Sequence, residues 1–170
     1  MFEPHSGFME YGSPDFDISS VLGRRTRAVL ASARSGETFI IDEQKKGNLS
    51  TATVLATGRP LSADDLKLVR ELTSEPRAFY TGRPRFRRWP ACQNFAIQLQ
   101  GEKETLDLML DLRRSGWGFY CGSESYQRWN WVGQHFVDIA KRSFPAFASK
   151  YKKSVWKQGA IGKLKATSDD

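Results

Sequence analysis

Histidine and cysteine are scarce in this chain of 170 residues, with two of each: His5, His135, Cys92 and Cys121. A zinc site needs three or four such ligands at close spacing, so neither a metal nor a cofactor is expected. The two cysteines are expected to stay reduced rather than to pair. No apolar run approaches the ~18 residues of a membrane helix. Residues 1–16 lack the basic start and apolar core of a secretory signal. Cytoplasmic residence is therefore the expectation. Also missing are a phosphate-cradling glycine loop, a CxxC pair, an HExxH helix and a nucleophile elbow. No repeat or low-complexity tract is present, and no residue is assigned a catalytic role.

The strongest pattern present is the run from Phe95 to Leu112. Phe95, Ile97 and Leu99, then Leu106, Leu108, Leu110 and Leu112, recur at every second position. That period of two predicts a hairpin with one buried face, turned at 101–104. Residues 117–121 (WGFYC) supply a third strand and make a three-stranded meander. Residues 38–42 and 51–56 predict a second hairpin. Ser19 or Ser20 is placed to cap a helix reaching about Ala33. Ser62 is placed to cap another through Leu72, with Asp65 completing a capping box. Trp129, Val132, Phe136, Ile139 and Ala140 predict a single helix over 125–144. A last helix over 147–156 places Phe147 and Tyr151 among lysines. The fold class expected is α+β: an antiparallel sheet of two hairpins and a C-terminal meander, with helices packed on one face. Residues 1–18 read as an extended aromatic arm, 19–158 as a single domain, and 159–170 as a flexible tail.

Net charge is +7, with a pI near 9.6. Positive charge comes in blocks at 24–34, 77–88 and 141–165, while 1–20 holds four acids and no Lys or Arg. In 82–90 (GRPRFRRWP), Arg83, Arg85, Arg87 and Arg88 interleave with Phe86 and Trp89. Guanidinium forks bind phosphates and exposed rings stack on bases, so this loop is a candidate nucleic-acid or polyanion site. The alternative is that its rings anchor in the core and its arginines pair with acids. On the last helix, Lys150, Lys153 and Lys157 fall on neighbouring turns and form a second candidate. An ordinary solvated lysine face fits them too.

Three further constellations carry chemistry-bearing side chains. Asp107 and Asp111 share a strand face, ~13 Å apart, too far for one metal without a bridging group. With Glu124 they suggest a hydrolytic site, against the plainer reading of a solvated sheet face. His135 and Asp138 have the spacing for an oriented imidazole, although a lone helical histidine is more often a surface residue. Trp131 and Tyr151 are candidate partner-surface aromatics. The leading expectation is a non-enzymatic protein that binds nucleic acid or another polyanion. The alternative is an inhibitor, adaptor or subunit gripping an acidic protein. A hydrolase stands third.

Overall fold

The computed structural model describes residues 13–81 and 92–145. One antiparallel sheet runs in the order β2-β1-β3-β4-β5-β6. Its strands are β1 (Ser35–Gln44), β2 (Val54–Thr57), β3 (Gln93–Gln100), β4 (Thr105–Asp111), β5 (Gly116–Cys121) and β6 (Glu124–Trp129). Helices α1 (Arg24–Ser32), α2 (Ala63–Ser74) and α3 (Gly133–Ser143) pack against it. The α+β class follows the pattern read from the sequence. The two hairpins share one sheet because β1 pairs with β3 as well as β2.

The alternating leucines do what their period implies. Leu108 stands between Ile97 and Phe119 in register, and Leu106, Leu110 and Leu99 bury on the same face. Val29 and Leu30 of α1, Val69 and Leu72 of α2, and Phe136 and Ile139 of α3 cover them. Each such side chain contributes about 1.5–3 kcal/mol on burial. Phe79 is fully buried, with ring centroids 4.8 Å from Trp117 and 5.5 Å from Phe16. Phe16 thus packs on the chain's own core.

The expected 125–144 helix divides in two. Residues 124–129 pair with β5 as a strand, and helix begins only at Gly133. The helical spacing of Phe136, Ile139 and Ala140 is real and buried. Tyr126 and Trp129 are β-formers captured by the edge of β5, where tertiary pairing overrides a helical period.

The start of α1 also differs from expectation. Residues 18–20 form a separate 3-10 turn, and the N-cap of α1 is Gly23, which has no side chain to offer. The cap comes from across the fold. Glu124, at the start of β6, accepts from the Arg25 and Thr26 amides at 3.0 and 2.8 Å and from Thr26 Oγ1 at 2.8 Å. A Cβ on Gly23 would overlap that carboxyl, so glycine permits the approach. The Arg25 guanidinium pairs with Glu104 from the β3–β4 turn. It also lies over Gly122, whose φ of +58° suits glycine. In α2, Ser62 Oγ accepts from the Asp65 amide at 3.1 Å as expected. The Asp65 carboxyl does not close a capping box but takes Arg142 of α3 at 2.6 and 2.9 Å.

The second sheet face is not a plain solvated surface. Met109 is fully buried and Asp111 is 2% exposed. The β1–β2 connection folds over this face, placing Leu49 and Ala52 against Ile41, Ala96 and Met109. A polar belt ties it down. Asp107 accepts from the Leu49 amide at 3.0 Å and from Gln98 Nε2 at 2.9 Å. The Tyr120 hydroxyl accepts from Gln93 Nε2 at 3.2 Å and donates to Gln127 Oε1 at 2.9 Å. Gln127 in turn donates to the Lys45 carbonyl at 3.2 Å.

Burial alone would raise the Glu124 carboxyl, but the hydrogen bonds from Thr26 and Arg25 outweigh it and hold it below the usual range. Its contribution is therefore whole above the unfolded glutamate value of about 4.3 and is lost as pH falls through the lower folded one. Replacing Glu124 with Gln should cost about 1 kcal/mol at neutral pH. In urea titrations between pH 6 and pH 3, the gap between wild type and E124Q should shrink as the pH falls. A constant gap would show that the carboxylate charge does not carry the cap.

Candidate functional site

The described residues are close to charge balance, with sixteen Lys and Arg against fifteen Asp and Glu. The chain's positive excess therefore lies almost wholly in 82–91 and 146–170. Arg83, Arg85, Phe86, Arg87, Arg88 and Trp89 of the first candidate lie outside the described residues. So do Lys150, Lys153, Lys157 and Tyr151. Among the described basic residues several are already engaged. Arg25 holds Glu104, Arg142 holds Asp65, and Arg113 holds Glu43 at 2.6 Å.

What the structure does describe is the frame from which the arginine-rich segment leaves. Phe79 forms a bridge with Asn130, just past β6, and the Trp131 amide donates to the Ala78 carbonyl at 3.0 Å. Tyr80 is thereby placed beside both tryptophans. Its ring centroid lies 5.4 Å from Trp129, edge-on, and 5.7 Å from Trp131. Tyr80 is buried, while Trp129 and Trp131 are each half-buried. Trp131 sits in the bend before α3, not on a helix. The chain leaves this frame after Thr81 and re-enters at Cys92, whose amide donates to Asp111 at 2.9 Å. Asp111, Gly116 and Trp129 stand in one register row. The two ends of the segment thus flank the same end of the sheet, with β4, β5 and β6 between them. The signal for Tyr80 was present in the sequence, directly before the arginine block, but its partnership with Trp129 required β6.

The other candidate residues are dispersed. Glu124 turns toward α1, on the helix face, while Asp107 serves the opposite face. Asp111 accepts from the amides of Cys92, Arg113 and Arg114 and shapes the β4–β5 turn. Among the described residues these acids are met by backbone amides, the Thr26 hydroxyl and Gln98, and the arginines of 82–90 with which they were expected to pair lie outside the described residues. Asp138 accepts from Gln134 at 3.1 Å, and His135 is exposed. Burial, then the nearby Glu104 carboxylate, push the Cys121 thiol up, so it stays protonated and is a poor nucleophile. Burial pushes the Tyr126 phenol up to about 12, which removes it from proton transfer near neutrality. Cys92 and Cys121 are free and stand at opposite ends of β4, roughly 20 Å apart by strand length, so they cannot pair within one chain. Among the described residues no group of His, Cys, Asp and Glu is arranged to hold a metal ion, and no helix is long and apolar enough to cross a membrane.

No protein-family profile, curated protein or solved structure matches this chain.

The two oxygens of Asp107 each accept from a different donor, and its isostere asparagine can serve only one of them. Asp107→Asn should lower stability by about 1–2 kcal/mol, because one donor is left facing an amide NH2. Amide exchange should accelerate at Leu49 well before the strands exchange. Unchanged protection at Leu49 would remove Asp107 from its role as the tie.

Proposed function

We infer that this is a non-enzymatic binding protein whose positive, aromatic-bearing surface takes nucleic acid or another polyanion. The observation that carries the reading is the conjunction at one end of the sheet. A charge-balanced fold holds a buried Tyr80 against the half-buried Trp129 and Trp131, and the segment that follows Tyr80 carries Arg83, Arg85, Arg87 and Arg88 with Phe86 and Trp89. Phosphates engage guanidinium forks bidentately, and bases stack on indole and phenyl faces. Both needs are met within one short stretch of sequence. The scattered carboxylates, the protonated Cys121 and the exposed His135 favour binding over turnover. Lys150, Lys153 and Lys157 add a second block able to track a backbone.

The affinity should be electrostatic and so depend steeply on salt. In anisotropy titrations of the nuclease-treated protein against labelled single- and double-stranded DNA and RNA, binding should persist near physiological salt. Neutralising Arg85, Arg87 and Arg88 together to Ala should flatten the salt slope by about two units, at ~0.7 per phosphate contact on a single strand. The loss should be similar for all sequences. An unchanged slope in the triple variant would send the search to the lysine block or to an acidic protein partner.

A further inference from the structure

A cavity of about 530 Å³ opens between α1, α2 and residues 13–20. That volume is in the range of small-molecule sites. Leu22 and Leu30, both buried, form its floor, and Phe16 and Ile18 stand along one side. Its charged members are Arg27, Arg70 and Asp17. Asp17 is turned back on its own turn, accepting from Ser19 N at 3.0 Å and Ser19 Oγ at 2.7 Å. Neither arginine has a carboxylate partner among the described residues.

Both arginines are nonetheless fixed in place by carbonyls of the α1 segment. Arg27 Nε donates to the Leu22 carbonyl at 3.1 Å. Arg70 Nη2 donates to the Ala31 carbonyl at 2.6 Å, and Nη1 to the Ala33 carbonyl at 3.4 Å. One nitrogen of Arg27 is so engaged, and its terminal pair makes no hydrogen bond or ion pair within the described fold. The hydroxyls of Thr73 and Ser74, also in the lining, donate to carbonyls of their own helix and are used up. The cavity therefore combines an apolar floor with two oriented cations against a single carboxylate, Asp17, which its own turn engages. That chemistry selects an anion with an apolar body over a neutral or cationic molecule.

We propose that this cavity binds an amphipathic organic carboxylate, its chain or ring on Phe16, Leu22 and Leu30 and its carboxylate on Arg27 and Arg70. The site is separate from the aromatic end of the sheet and stands whether or not the chain binds nucleic acid.

Calorimetric titration of the full chain tests it with three sub-micellar probes: dodecanoate, 2-naphthoate and dodecylamine. At least one carboxylate should bind saturably and at least tenfold tighter than the amine. Arg27→Gln should weaken it at least tenfold. Ala31→Phe, which narrows the cavity from an exposed helix position, should weaken it without altering charge. Both variants should keep the wild-type urea midpoint, which separates loss of binding from loss of fold. No saturable binding of either carboxylate, equal binding of the amine, or full affinity in both variants would overturn the proposal.

Discussion

The pairing of β3 with β4 is the constraint on which the rest of this structure rests. Both strands lie inside a six-stranded sheet and are buried on both faces, from Phe95 and Leu110 on one side to Ala96 and Met109 on the other. A central antiparallel pair of this kind must be covered twice. Three helices cover the leucine face. A short strap, the β1–β2 connection, covers the other. The strap is too small to bring a hydrophobic layer of its own, so polar side chains secure it: Asp107 to the Leu49 amide and Tyr120 through Gln127 to Lys45. Asp107, which the sequence placed beside Asp111 on a strand face, is therefore a tie in the scaffold.

The same logic explains Glu124. Helix α1 enters against the sheet at Gly23, where a side chain would collide with the carboxyl that caps it. The strand end and the helix start are joined by one carboxylate shared between two amides and a hydroxyl. Arg25 then reaches from the helix to Glu104 and rests over Gly122. One residue from each of three elements fixes the approach of α1. The opposite side of that helix faces the cavity with Arg27.

What was legible in the sequence was the part governed by local period. Alternation in 95–112 located β3, β4 and their common face, and Ser62 marked the start of α2. What was not legible depended on partners distant in the chain. The first half of 125–144 reads as helix in isolation and becomes β6 only because β5 offers an unpaired edge. Ser19 and Ser20 look like caps, yet α1 is capped by a residue 99 positions away from Arg25. The second face looked solvated because Thr105, Asp107 and Asp111 alternate on it, while the strap that covers it carries only Leu49 and Ala52 as apolar contacts. For the proposed polyanion surface, the arginine block was visible at once. Trp131 was singled out as a partner-surface candidate, but its grouping with Trp129 and Tyr80 was not, because it depends on β6 and the Phe79 bridge.

Polyanion contact is proposed at the end of the sheet where the arginine segment leaves and returns. Amide NMR of the labelled full chain, titrated with a short single-stranded oligonucleotide at near-physiological salt, tests this most directly. Shifts should cluster at Thr81, Cys92 and Trp129–Trp131, with the strap around Leu49 and the α1–α2 cavity unchanged. Shifts confined to α1 and α2, or none at all, would contradict it.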